Sequence, residues 1–345
     1  MGFFLWIARA YYNEHMAKPL KGLNLGGWLV IEPWITPSLF FETSAKNEFE
    51  LAKTEQGRRR IKDHHAHFVV EGDLDWMQQQ GIELLRVPIG YWIFGDDNRY
   101  VRTIERLDWL VATSLSYGIK LLLDLHAAPG AQNRAAHSGS GNTIPDNHST
   151  RWLNNAVAQD KTIEVLKKLA RRYYDSPAVW GIQLLNEPSI DRFGLKLAGF
   201  YRKAYMELTN VARPGTRIVF SDAYAPLRTS NCFWLIEKKE YPVVLDCHIY
   251  QLFGKRDKKR TFNQHIKHTI YSRLFLQFLS WQQPVMVGEW SAMLPNKYPK
   301  AQLSRYVQSQ KQAFRHTVAE CYWTYKTEAD GRWNYRDMKH KHVVE

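Results

Sequence analysis

Eight short apolar runs, each closing on polar or aromatic residues and each followed by a stretch with helical spacing, constrain this chain more than any other feature. They cover residues 20–25, 82–88, 120–126, 179–186, 217–221, 243–250, 285–289 and 319–325. The fourth begins VWGIQLL, a β-branched and aliphatic run that suits a strand buried on both faces, and it ends Asn186-Glu187-Pro188. Proline cannot donate to a ladder, so Pro188 closes that element. Between the strands lie amphipathic stretches: 73–81 and 103–118, both ending on glycine, one from Thr162 that stops before a proline, and others near 193–210, 262–279 and 301–316. Strands alternating with helices predict a parallel sheet, and eight of them in 345 residues predict a single α/β domain, a closed (β/α)8 TIM barrel. No linker-like stretch divides the chain. Residues 1–19 read as an N-terminal extension and residues 20–345 as the (β/α)8 barrel.

The barrel says where to look, because such folds build their sites from the C-terminal ends of several strands. Strand two ends on Arg86, strand three on His126 and strand four on Asn186 and Glu187. Strand six offers His248 and Tyr250, two apart and so on one face, strand seven Glu289, and strand eight Trp323. One polar strand end is noise; six on one rim are a site. Two carboxylates on that rim, with cationic, imidazole and aromatic neighbours, suit glycoside hydrolysis, where one acts as a neutral acid and the other stays ionised. Arg86 and Tyr250 are expected to hold Glu289 as an anion, whose field then keeps Glu187 protonated. Asn186, just before Glu187, can bind a sugar 2-hydroxyl, and Trp323 is expected to give a floor for the ring. No HxH pair, HExxH helix or acidic cage appears, so neither a metal nor another cofactor is expected.

Composition bears on substrate and surroundings. Aromatics make up 14% of the chain, with 13 Trp, which suits a cleft that stacks on sugar faces. Trp28, Trp34, Trp152 and Trp290 are read as lying near the cleft, with core packing an equal alternative. Formal net charge is +13, which favours attraction to an anionic surface. The basic bursts GRRRIKDHH (57–65) and GKRDKKR (254–260) read as solvated loops, and no nucleic-acid motif accompanies them. Cys232, Cys247 and Cys321 are too few and scattered for a disulfide framework. The N-terminus lacks a basic n-region and a small-residue cleavage site, and no run reaches the length of a membrane span. These features point to a cytoplasmic, reducing compartment.

The set Arg86, His126, Asn186, Glu187, His248, Tyr250, Glu289 and Trp323 resembles glycoside hydrolase family 5, over about residues 21–335. The resemblance implies a retaining hydrolase with Glu187 as acid/base and Glu289 as nucleophile. KGLNLGGWLVIEPWITPSLF (21–40), LDLHAAPGAQN (123–133), HIYQLF (248–253) and GEWSAM (288–293) are similar to the family's exo-β-1,3-glucanase branch, in which the position of Glu32 binds the sugar at the blind end of the pocket. That branch implies a β-glucan or β-glucoside substrate. Three departures stand out. Ala135 replaces an entrance aromatic while Phe253 is kept, Trp323 follows Glu289 by only 34 positions, and the branch's secretion signal and disulfide cysteines are absent. A more open cleft is expected. An endo-β-1,4-glucanase, a glycolipid β-glucosidase and a non-catalytic sugar-binding barrel remain the alternatives.

Overall fold

The computed structural model describes residues 18–133, 135–139, 152–230 and 241–345. Most of the expected extension (1–17), Cys232 and Arg134 lie outside them. Eight parallel strands close into one barrel in sequence order. They are β1 (Leu20–Asn24), β2 (Leu84–Gly90), β3 (Lys120–Ala127), β4 (Val179–Gln183), β5 (Arg217–Ser221), β6 (Val243–Ile249), β7 (Val285–Trp290) and β8 (Ala319–Tyr322). The outer helices are α1 (Glu55–His67), α2 (Glu71–Gln79), α3 (Ile104–Ser114), α4 (Ala156–Arg172), α5 (Leu195–Thr209), α6 (Phe262–Ser280), α7 (Lys300–Phe314) and α8 (Tyr335–His340). A single helical turn, Pro226–Ser230, follows β5.

Helix starts follow local chemistry. The Thr54 hydroxyl accepts from Gly57 N at the start of α1, and Asn155 Oδ1 accepts from Ala158 N at the start of α4. Thr261 and Gln264 form a reciprocal capping box on α6. The Asn155 cap places the α4 start six residues before the expected Thr162. The burst at 57–65 is corrected from loop to helix: it forms most of α1, with Ile61, His64 and His65 turned into the protein. Of its arginines only Arg59 is exposed; Arg58 and Arg60 are half-buried and donate to the carbonyls of Tyr100 and Phe41, contacts that the run of charges does not announce. The second burst does form a loop, with one short turn at Asp257–Lys259.

Side chains inside the barrel stack in layers, because every second residue of a strand points inward. At the bottom Leu84, Leu122, Val219, Val244, Met286 and Cys321 form an apolar plug. Two residues further along the same strands the filling turns polar: Arg86 on β2, Asp124 on β3, Asp246 on β6. Asn24 and Gln183 complete that layer, and all five are fully buried. Gly288 of β7 belongs to it as a space. A Cβ there would meet the Asp246 carboxylate at 2.2 Å, whereas the bare backbone lets Gly288 N donate to it at 2.6 Å. The next layer up is the rim.

Candidate active site

Arg86 organises the rim from below. Its Nη1 donates to Asn24 Oδ1 (2.9 Å) and Glu289 Oε1 (3.1 Å), Nη2 to Asn186 Oδ1 (2.7 Å), and Nε to Gln183 Oε1 (2.9 Å). Nη2 also lies 3.1 Å from Asp124. Burial works against its charge, but Asp124, Glu289 and Asp246 outweigh burial and raise its proton affinity further. Arg86 is therefore a buried cation that fixes two rim side chains and does not itself line the cavity.

Each rim histidine is oriented by the aspartate two residues before it. His126 Nδ1 lies 2.7 Å from Asp124 Oδ2, and burial drives the imidazole pKa well below its ordinary value. The neutral ring then donates from Nδ1 and turns Nε2 toward Asn186 Nδ2 at 3.4 Å. His248 has carboxylates at both nitrogens: Nδ1 is 2.6 Å from Glu187 Oε1, and Nε2 is 3.3 Å from Asp246 Oδ2. Burial opposes its charge, yet the charges of Glu289 and Asp246 raise its proton affinity well above normal. His248 is an imidazolium wedged between acids.

Glu187 is held from several sides. Its oxygens receive hydrogen bonds from His248 and the Tyr224 hydroxyl, and His137 Nε2 stands 3.5 Å away. Its backbone carries a φ of 42°, and Ala223 and Tyr224 opposite are also left-handed. Such conformations cost L-residues about 1–3 kcal/mol and cluster at functional sites. The loop after β3 supports this one. Gln132 Nε2 donates to the carbonyls of His126 (2.7 Å) and Asn186 (2.9 Å), and Asn133 Nδ2 donates to Glu187 O (2.9 Å). The QN of GAQN is thus a clamp on the end of β4.

Glu289 accepts from Arg86 and from Tyr250 Oη at 2.9 Å, with His248 Nδ1 at 3.5 Å. Burial, aided by the charge of Glu187, pushes its pKa up to about 7 against the pull of His248, Arg86 and Tyr250. Burial also opposes charge on Glu187, but there the hydrogen bond and charge of His248 win and hold the carboxyl below its ordinary range. This reverses the expected ordering. Arg86 and Tyr250 do contact Glu289, but the imidazolium sits against Glu187, so the proton of the pair rests one hydrogen bond behind it, on His248. Carboxylate oxygens of Glu187 and Glu289 come within 4.8 Å of each other. With His248 their atoms lie close enough to surround a cation, but the His248 imidazolium and the Arg86 guanidinium 3.1 Å from Glu289 oppose a further positive charge there.

Above the carboxylates opens a cavity of about 460 Å³, within the roughly 300–1,000 Å³ usual for small-molecule sites. Glu32, His126, Glu187, Tyr250, Phe253, Glu289 and Trp323 line it. Trp323 lies parallel to His126 (8° between planes, centroids 5.5 Å apart). Trp34 Nε1 donates to Glu32 Oε2 at 2.9 Å, and burial pushes the Glu32 carboxyl up to about 8. Asn186 and His248 stand immediately behind the wall, and Phe253 is exposed at the mouth. Trp34, Trp333, Tyr224 and His137 complete the lining. Of the four tryptophans read near the cleft, only Trp34 is there; Trp28, Trp152 and Trp290 are buried in the core, with Trp290 Nε1 donating to Glu320. Tyr224, His137 and Trp333 carry no sequence signal: the first and last stand on loops and His137 on a single 3-10 turn (Ala136–Ser138), all too short or irregular for periodicity to mark. Asp124 and Asp246 left a readable signal, a polar residue inside an apolar strand two places before a rim histidine.

A closed barrel whose rim presents two facing glutamates under a bowl of tryptophans defines a glycosidase. Residues 47–329 match the sequence profile of cellulase (glycosyl hydrolase family 5), and the chain belongs to that family. It is 30% identical over 94% of its length to "Probable glucan 1,3-beta-glucosidase A" of Aspergillus niger, covering 87% of that protein. It is 28% identical over 95% of its length to "Glucan 1,3-beta-glucosidase" of Kluyveromyces lactis, covering 88% of it. Among solved structures, rutinosidase from Aspergillus niger superimposes with a TM-score of 0.81 at 17% identity, over 96% of this chain and 99% of that one.

Proposed function

We propose that this protein is a retaining β-glucosidase or exo-β-1,3-glucanase in which Glu289 is the nucleophile and Glu187 the acid/base. The observation that carries this reading is the approach of the two carboxylates to within 4.8 Å. Retaining enzymes hold their carboxyl groups about 5–5.5 Å apart, whereas inverting ones leave about 6.5–9.5 Å for a water. Glu289 attacks the anomeric carbon and forms a glycosyl ester as the bond to the leaving oxygen breaks. Glu187 delivers the proton to that oxygen, drawing it from His248 Nδ1 as charge develops; His248 keeps its second N–H against Asp246. Water then enters, Glu187 takes its proton, and the ester is released with the β-configuration restored. Arg86 and Tyr250 stabilise the departing Glu289 carboxylate. Trp323 supplies the ring floor, His126 meets a hydroxyl of the reacting sugar with Asn186 set behind it, and neutral Glu32 both donates to and accepts from a hydroxyl at the blind end.

The names of the relatives support β-1,3-linked glucose as the substrate, with Phe253 and Trp333 stacking the sugar beyond the scissile bond. Laminari-oligosaccharides, carboxymethylcellulose, glucosylceramide and an aryl β-glucoside assayed side by side test it. The fastest turnover is expected on laminari-oligosaccharides; oligosaccharides beside glucose among the early products of a long chain would show that the cleft also admits internal cleavage. Faster turnover of carboxymethylcellulose or glucosylceramide would overturn the linkage assignment.

A further inference from the structure

Helix α6 is apolar on two faces. Phe262, His265, Thr269, Leu276 and Leu279, at steps of three, four and seven, turn inward. The opposite side carries a second stripe with the same spacing: Tyr271, Leu274, Phe278 and Trp281, exposed by 68, 53, 45 and 71%, with Ile270 and Phe275 beside them. Outer barrel helices ordinarily give that side to charged residues, and a run of large apolar side chains this long is unusual on a free surface. Its charged surroundings are equally one-sided. From residue 258 to 319, spanning α6, β7 and α7, there are ten lysines and arginines and one acidic residue, the buried Glu289. Lys258, Lys259, Lys267, Lys297, Lys300, Arg305 and Arg315 are exposed. The two helices are tied together, Thr269 to Ser309, so they present one surface.

We propose that the α6–α7 face seats the protein on an anionic phospholipid bilayer. Apolar and aromatic side chains enter the headgroup boundary while the surrounding basic residues meet lipid phosphates and carboxylates. Among the described residues no helix is long and apolar enough to cross a membrane, so the contact is with one leaflet. A second copy of the chain is disfavoured as the occupant, because pairing this face with itself brings two strongly basic surfaces together. A nucleic acid would use the cations and stack on the aromatic rings, but it gives Ile270 and Leu274 nothing to bind. The basic turn before α6 follows Phe253 at the cavity mouth, so docking here holds that mouth beside the membrane.

The test is co-sedimentation with vesicles of phosphatidylcholine alone or with phosphatidylserine added, at low and physiological salt. The protein should pellet only with the phosphatidylserine vesicles, and less as salt screens the attraction. Reversing Lys258, Lys259 and Lys267 to Glu should weaken binding at least about 100-fold, at roughly fivefold or more per site. The variant Y271S/L274S/F278S/W281S keeps every charge and should lose binding by a comparable factor. Neither variant should change hydrolysis of a soluble aryl β-glucoside, which also reports that it has folded. In the unaltered protein, amide exchange in 262–281 should slow on phosphatidylserine vesicles. Failure to pellet, full binding by the serine variant, or protection elsewhere on the barrel would overturn the proposal. So would dependence of dimerisation, or of retention on single-stranded RNA, on the same four side chains without vesicle binding.

Discussion

Tyr250→Phe isolates one hydrogen bond to the proposed nucleophile. The phenol donates to Glu289 Oε2 at 2.9 Å, and its ring packs against Phe253 and Trp333, with centroids 5.6 Å away in each case. Phenylalanine keeps that packing and deletes only the donor. A hydrogen bond to a buried carboxylate contributes about 1.5–3 kcal/mol, and one pKa unit corresponds to about 1.4 kcal/mol. Losing it should therefore raise the Glu289 pKa by about 1–2 units from a value already pushed up to about 7 by burial. Glu289 attacks only when ionised, so activity is present above its pKa and lost below it, and a raised pKa moves the acid limb to higher pH. The assay is the pH profile of kcat/KM for a dinitrophenyl β-glucoside, whose departure needs little protonation and so hides any effect on Glu187. At pH 6 the variant should be slower by about 10–100-fold, recovering most of the difference above pH 9. An unmoved acid limb, with an equal loss at every pH, would refute the assignment of this hydrogen bond to the ionised nucleophile.

Two further outcomes follow from side chains around the site. Glu48 is fully buried with one oxygen accepting from Ile31 N, and burial pushes its carboxyl up to about 8 against the pull of Ile31 and Trp92. The neutral form is the one the fold accepts, so its contribution is fully present below the ordinary carboxyl pKa and fades as pH rises through about 8. Glu48→Gln should gain up to about 4 kcal/mol relative to the parent between pH 5 and pH 9 in urea unfolding, and a constant difference would contradict this. Trp333→Ala removes the ring that packs against Trp34 and Tyr250, and should raise KM for laminari-oligosaccharides about tenfold while an aryl glucoside changes less. Equal effects on both substrates would place Trp333 in support of the rim instead of beyond it.

The barrel was legible because its strands are buried on both faces: VWGIQLL or LLLDLHA is too uniformly apolar and too short for anything but an interior strand. Strand ends fell within a few residues of the observed ones, and the rim residues followed from them. What hid was of two kinds. Tyr224, His137 and Trp333 come from loops and one short turn whose conformation depends on distant contacts, so no local pattern announces them. The polar layer of Asn24, Asp124, Gln183 and Asp246 was in view, but each residue looked like an isolated break in a strand until the closed barrel brought them around one guanidinium. The expected protonation order of the two glutamates failed for the same reason: it weighed Arg86 and Tyr250 on Glu289 without the imidazolium that Asp246 sets against Glu187.

The stereochemistry of azide rescue bears most directly on the division of labour between the two carboxylates. In Glu187→Ala the glycosyl ester on Glu289 still forms from a dinitrophenyl β-glucoside, and then waits for water without a base. Azide needs no deprotonation and should release the β-glucosyl azide by a second inversion. In Glu289→Ala no ester forms, so azide must attack the β-linked substrate or β-glucosyl fluoride from the opposite face and give the α-glucosyl azide. Loss of the acid/base should cost about 10²–10⁴ on substrates with poor leaving groups. β-Azide from the first variant and α-azide from the second are the outcomes expected here. Exchanged anomers would reverse the two roles, and full activity in both variants would remove the site.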